Sequence, residues 1–251
     1  MISMREGRVR RLPVYRPGVQ MVRLSLMALQ WIGFVLVCLR SVSVAVIQRG
    51  ILKMNFDGAM GWVTAAVFCS LAATLSIPIF AKAAYEGRKR TQNPTTYFGG
   101  LALCALLSEI PYDLAISGKL FDLSTQNPVL GLLLAAIALE LLRFWRPRSM
   151  AGNILFKALV TAAALAWTLL LRVYAGPLLV LLMALFCFAE KRRTVSLLGG
   201  VLLTLPQFPA PIGMAFVNWY DAEKEGDSGK LLCVLFPVQL AVFGLLGILL
   251  T

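Results

Sequence analysis

The chain has 251 residues, of which 59% are hydrophobic and 14% charged, and its formal charge is +12. Soluble domains contain about 25% charged residues, so this composition excludes a soluble enzyme and a disordered chain. The sequence contains no histidine, which excludes an imidazole general base, a Ser-His or Cys-His nucleophile pair and histidine metal ligands. We predict a membrane protein with several spans and no metal site.

Apolar stretches follow one another along most of the chain. A membrane helix needs about 20 mostly apolar residues. We expect an all-α transmembrane bundle of about eight spans that forms a single integral-membrane domain over 24–251, preceded by a basic cytoplasmic segment over 1–23. The predicted spans are 24–47, which Arg40 interrupts, and 59–81, 97–117, 128–145, 154–172, 174–189, 195–217 and 231–250.

The basic residues indicate the orientation of these spans. Most of them fall in the N-terminal segment and in alternate loops, and cytoplasmic loops are the ones that collect Lys and Arg. We therefore expect both termini in the cytoplasm and a multi-pass protein of the bacterial inner membrane, with the lipid bilayer as its partner. The positive charge is explained by topology, so we predict no binding of nucleic acid.

Polar residues close the third predicted span on its outer side. The stretch reads Ser108-Glu109-Ile110-Pro111-Tyr112-Asp113. On a helix, Glu109 and Asp113 would share a face because they are four residues apart. They form either a capped helix start at the membrane surface or a pair of carboxylates in a functional site.

A second polar stretch, Ser124-Thr125-Gln126-Asn127-Pro128, precedes the fourth predicted span. Polar residues before a proline favour a helix N-cap. Gln126 and Asn127 would also bring amide donors and acceptors to the outer surface where Glu109 lies. Both roles remain open from the sequence.

Two further irregular stretches fall on the outer side. Pro206, Pro209 and Pro211 interrupt the seventh predicted span and exclude a regular helix there. Asp57, at the entry to the second span, either caps that helix or faces a polar cavity. Together with the two polar stretches, these features predict an outward-facing cavity.

A basic cluster, Arg88-Lys89-Arg90, lies on the predicted inner side. Such a cluster marks the cytoplasmic face and contacts anionic lipid, or it holds the phosphates of a nucleotide-like cofactor. The sequence leaves both readings open.

Several of these stretches resemble the TraX family, whose members are membrane proteins associated with N-terminal acetylation of conjugative pilin and similar to membrane acyltransferases. The resemblance is most specific in the segment from Ser108 to Ala115 and extends over most of 50–251. The other similar segments are Ile77-Pro78-Ile79-Phe80, Tyr85-Glu86-Gly87, Gln126-Asn127, Asn218-Trp219-Tyr220 and Phe236-Pro237-Val238-Gln239-Leu240.

The resemblance implies an acetyltransferase that uses acetyl-CoA and acts on a pilin or on pilus or secretion machinery. The family pattern has histidines where this chain has Gly58, Thr125 and Gln239, so a carboxylate would have to replace the imidazole as base. The resemblance implies three catalytic candidates, which are Asp57, Glu109 and Asp113. The residues that would bind substrate are Gln126, Asn127, Tyr220 and Gln239. The phosphates of acetyl-CoA would be bound by Arg88, Lys89 and Arg90.

Two other functions remain open. An inactive relative would serve as a membrane scaffold or assembly subunit of a pilus or secretion system. A small transporter would use the interrupted seventh span as its binding site.

Overall fold

A computed structural model describes residues 23–54, 59–144, 149–224 and 226–250. Asp57 and most of the predicted N-terminal segment lie outside these residues. The described part of the chain is helical and contains no strand, apart from two isolated bridges. This confirms the expected all-α membrane fold.

Five helical segments of the described chain are long and apolar enough to cross a membrane. They are Leu26–Lys53, Ala59–Arg90, Pro94–Ile116, Met150–Leu170 and Gly229–Leu249. Two of these segments are built from shorter pieces. The first contains the α-helix Leu26–Ser41 and a π-helical turn, and the second contains the α-helices Ala59–Thr74 and Ser76–Arg90, which meet at Leu75.

The helices are α1 (Leu26–Ser41, followed by the π-helical Val42–Gln48), α2 (Ala59–Thr74), α3 (Ser76–Arg90), α4 (Pro94–Ile116), α5 (Pro128–Phe144), α6 (Met150–Leu170), α7 (Gly176–Phe188), α8 (Arg193–Thr204), α9 (Ala210–Trp219) and α10 (Gly229–Leu249).

The helix termini meet at two opposite ends of the bundle. The first is called the Arg90 end, because α3 ends there at Arg90. At this end the backbone N–H of Leu24 donates to the carbonyl of Trp219 at 2.7 Å. At the second, called the Asn127 end, the N–H of Gln126 donates to the carbonyl of Arg172 at 3.1 Å. The two ends hold different sets of functional candidates.

The predicted seventh span is a hairpin of two helices. The guanidinium of Arg193, at the start of α8, donates to the backbone carbonyl and side chain of Asn218, near the end of α9. With 12 and 10 residues, these helices are about 18 and 15 Å long, well short of the roughly 30 Å of a bilayer core. The prolines break the helix, and the chain returns to the Arg90 end.

This reversal corrects the expected position of the C-terminus. Because the hairpin returns to the Arg90 end, α10 starts there and runs parallel to α1. The backbone of Gly247 lies against that of Ala45, and Leu250 lies against Gly50. The two ends of the described chain are therefore on opposite sides of the bundle, whereas the sequence predicted both termini on one side.

Two apolar clusters hold the bundle together. One joins α3, α5 and α7 through side chains such as Tyr85, Leu139 and Met183, which are almost fully buried. The other joins α4 and α10 through Tyr112 and Leu240. The second cluster fixes α4, which carries Glu109, against its neighbours.

Candidate functional site

Glu109 and Asn127 meet at the Asn127 end, as the two polar stretches predicted. The side-chain amide of Asn127 donates to the carboxylate of Glu109 and to the carbonyl of Ala105. Its oxygen accepts from the N–H groups of Val129 and Leu130 at 3.0 and 3.2 Å. Asn127 therefore caps α5 and holds the carboxylate on α4, so both readings of the sequence apply to it.

One oxygen of Glu109 is left over. Its Oε1 is buried and has no hydrogen-bond partner, and no ion pair in the described chain involves this carboxylate. A buried carboxylate without a cation is costly unless it gains a proton or another donor. Glu109 therefore retains one acceptor oxygen that no group of the described chain satisfies.

Asp113, unlike Glu109, is hydrogen-bonded to the backbone of the loop that follows α4. It is buried, and its Oδ2 accepts from the backbone N–H of Asp122 at 2.8 Å. The carboxylate of Asp122 in turn accepts from the N–H of Ser124. Asp113 therefore anchors the loop between α4 and α5 that carries Asn127.

Gln126 is held by its backbone. Its N–H donates to the carbonyl of Arg172, and its carbonyl accepts from Tyr174, both at 3.1 Å. This pairing fixes the loop before α5 against the loop between α6 and α7. Asn127, the next residue, is thereby positioned for Glu109.

Gln239 is buried in the middle of α10, and neither atom of its side-chain amide has a hydrogen-bond partner. The backbone of Gly244 lies against Leu114 and Ala115 of α4. Because α10 runs parallel to α4, Gln239 lies at about the level of Glu109. Its amide is available at the depth of the carboxylate.

A large cavity runs between α1, α3, α4, α5 and α10. Its volume is about 750 Å³, within the range of small-molecule sites. Gly87 and Thr91 line it near the Arg90 end, and Pro128 lines it next to Asn127. The cavity therefore extends from the basic end of the bundle towards the carboxylate.

Arg40 belongs to this site, although the sequence indicated only that it interrupts an apolar span. Its Nη1 donates to the hydroxyl of Tyr174 at 3.0 Å, and its guanidinium carbon lies 3.8 Å from the centre of that ring. Tyr112 lines the same cavity. A charged residue inside a predicted span was the signal that marks a functional position.

The three basic residues at the end of α3 form ion pairs or hydrogen bonds with other residues of the protein. Arg88 donates to both oxygens of Glu140 at 2.9 and 2.7 Å, and Lys89 pairs with Glu190 at 2.6 Å. Hydrogen bonding to Lys89 lowers the pKa of the Glu190 carboxyl. Lys89 and Arg90 remain exposed, whereas Arg88 is fixed by its carboxylate.

Tyr220 lies at the Arg90 end, far from Glu109, which corrects its expected grouping with the outer site. Its hydroxyl accepts from Arg90 at 3.0 Å and donates to Glu86 at 3.4 Å. Burial raises the pKa of this phenol. The reason for the correction is the α8–α9 hairpin, because the sequence interpretation had placed this segment beyond a complete span.

These observations define a helical membrane protein with a carboxylate–amide pair at one end, a basic cluster at the other and an apolar cavity between them. The family model of the TraX protein matches residues 22–246, and the chain belongs to the TraX family. No curated protein and no solved structure matches the chain.

Proposed function

We propose that this chain is a multi-pass acyltransferase of the bacterial inner membrane that transfers an acetyl group from acetyl-CoA to the N-terminal amine of a pilin or a similar substrate. The observation that carries the proposal is Glu109, a carboxylate held by Asn127 with its other oxygen buried and free of partners. Membership of the TraX family supports the same function.

The reaction requires a base that takes a proton from the amine, and hydrogen-bond donors that stabilise the oxygen of the tetrahedral intermediate. The amine nitrogen attacks the thioester carbonyl, a C–N bond forms, and the C–S bond breaks. Glu109 accepts the proton that the amine loses and passes it to the leaving thiolate of coenzyme A. The side-chain amides of Gln126 and Gln239 are candidate donors to the oxygen of the tetrahedral intermediate.

The cavity and the basic cluster support a donor that enters from the Arg90 end. Lys89 and Arg90 are exposed there and suit phosphate groups. Gly87 and Thr91 line the cavity beside them. A slender thioester arm that follows this cavity approaches Pro128, next to the residue that holds Glu109.

The experiment is transfer of labelled acetyl from acetyl-CoA to a peptide with a free N-terminus by the full chain purified in detergent. We expect Glu109→Gln to abolish transfer, and Glu223→Gln, an exposed carboxylate at the Arg90 end, to leave the rate unchanged. A peptide with a blocked N-terminus should accept no label. Asp57→Asn is measured beside them, because the sequence offers Asp57 as a second base.

Two results would contradict the proposal. A normal rate in Glu109→Gln would remove this carboxylate as the base. Absence of both transfer and acetyl-CoA binding in the wild-type chain would remove the activity, and would favour a scaffold subunit. That second function is favoured by one observation, namely that Arg88 and Lys89 are paired with carboxylates of the protein itself.

A further inference from the structure

The apolar cavity has a cationic group near the Asn127 end. Phe34, Leu101 and Leu132 are typical of its lining, whereas Arg40 and Tyr112 bring polar groups to it. The cavity volume of about 750 Å³ also accommodates a long hydrocarbon chain, as an alternative occupant to the thioester arm. We call the polar end formed by Arg40 and Tyr112 the head site. A long apolar space with a charged head site suits an amphiphile.

Two donors in this head site lack partners. The Nε of Arg40 and the hydroxyl of Tyr112 are buried without a hydrogen-bond partner, and Tyr112 is only 3% exposed. No ion pair of the described chain involves Arg40. Buried donors without partners are costly, and an unpaired guanidinium at membrane depth is costlier still.

The chemistry of these donors restricts the ligand. A guanidinium has donors and no acceptor, and a phenol can donate one hydrogen bond. The ligand must therefore present an acceptor oxygen, and the charge of Arg40 favours an anionic or strongly polarised oxygen. Carboxylates and acyl carbonyls carry such an oxygen at the end of an apolar chain.

We propose that Arg40 and Tyr112 bind the carboxylate or carbonyl oxygen of a long acyl chain whose hydrocarbon part occupies the cavity. This ligand class goes beyond acetyl-CoA, and the proposal does not depend on acetyl transfer. Tyr174 orients the guanidinium by its hydrogen bond and by the stacked ring.

The wall of the cavity also offers a way in from the lipid. Leu103 and Leu107 of α4 and Val234 of α10 line the cavity, and each is more than half exposed on the surface of the bundle. The lining of the cavity therefore reaches the lipid-facing surface of α4 and α10, and an acyl chain from the bilayer can approach it there without crossing the basic end.

The test is equilibrium binding of tritiated hexadecanoate to the full chain in nanodiscs, with hexadecanol as the matched competitor. We expect hexadecanoate to bind about tenfold more tightly than hexadecanol, as a charge-assisted hydrogen bond requires. Arg40→Met should abolish this preference, and Tyr112→Phe should reduce hexadecanoate affinity several-fold. Tyr97→Phe is the control, because Tyr97 lines the same cavity nearer the Arg90 end and its hydroxyl already donates to the carbonyl of Ala84.

Equal affinity of the wild-type chain for hexadecanoate and hexadecanol would overturn the proposal. An unchanged preference in folded Arg40→Met would do the same, and Arg40→Lys, which keeps the charge, provides a second variant if Arg40→Met does not fold. Stronger competition by hexadecanoyl-CoA than by hexadecanoate would assign the site to a thioester carbonyl, and the reverse order would assign it to a free carboxylate. Failure of the acetyl-transfer assay affects none of these measurements.

Discussion

Asn127 joins two helices through a single side chain. Its amide nitrogen donates to the carboxylate of Glu109 on α4, and its oxygen caps α5 by accepting from the backbone N–H of Val129. The position of the candidate base is therefore coupled to the start of the neighbouring helix. A change at Asn127 should affect both the stability of α5 and the chemistry at Glu109.

The two roles of Asn127 can be separated by substitution. Asn127→Ala removes the cap and the buried donor, and we expect a loss of about 1 kcal/mol for the cap and a further 1–3 kcal/mol, roughly, for the acceptors left unpaired. Asn127→Asp keeps an oxygen that caps a helix but places a second carboxylate beside Glu109. The free energy of unfolding of each variant in detergent, compared with that of the wild type, measures these losses.

Acetyl transfer by the same variants provides the control. If Asn127 positions Glu109, Asn127→Asp should lose activity even in a preparation that unfolds almost like the wild type. Full activity in Asn127→Asp would mean that the amide donor does not support the base. Thr125→Ala, a change in the same loop, should leave the α5 cap intact.

The carboxylate–amide site was predictable because its residues are polar, whereas the predicted spans beside them are apolar. Polar residues at the ends of apolar spans are conspicuous, and Glu109 and Asn127 each close or open a predicted span. Their meeting follows from consecutive helices joined by a short loop. Chain order alone therefore brought the pair to one end of the bundle.

The hairpin and the Arg40 site were not predictable in the same way. The segment 195–217 has the length and hydropathy of a complete span, and its reversal is shown by three-dimensional contacts such as that of Arg193 with Asn218. Arg40 and Tyr174 are 134 positions apart. A contact at that separation depends on how distant helices pack, which hydrophobic periodicity does not specify.

The hairpin predicts which loops share a side of the membrane. In a chain whose native cysteines are replaced, Glu223→Cys and Gln92→Cys should react with an impermeant maleimide from the same face, because both positions are exposed at the Arg90 end. Lys119→Cys, exposed near the Asn127 end, should react from the opposite face. Labelling of positions 223 and 119 from one face would contradict the hairpin.

The two ion pairs at the end of α3 should differ in strength. Arg88 and Glu140 form two hydrogen bonds with side chains that are 11% and 30% exposed, whereas those of Lys89 and Glu190 are 37% and 45% exposed. A double-mutant cycle with Arg88→Met and Glu140→Gln should give a coupling energy of about 1–3 kcal/mol. The same cycle for Lys89→Met and Glu190→Gln should give about 0–1 kcal/mol, and equal values would contradict the ranking.

The pKa of Glu190 is lowered by its hydrogen bond to Lys89, which predicts a pH dependence of stability. A carboxyl whose pKa is lower in the folded state stabilises the protein above its ordinary value of 4.5, and this stabilisation is lost as the pH falls towards the lowered value. The difference in unfolding free energy between the wild type and Glu190→Gln should therefore be present near neutral pH and shrink below about pH 4.5. Lys89→Met removes the largest cause of the lowered pKa, so Glu190→Gln in that background should show a smaller change with pH. A difference that stays constant with pH in the wild-type background would exclude this pair as its origin.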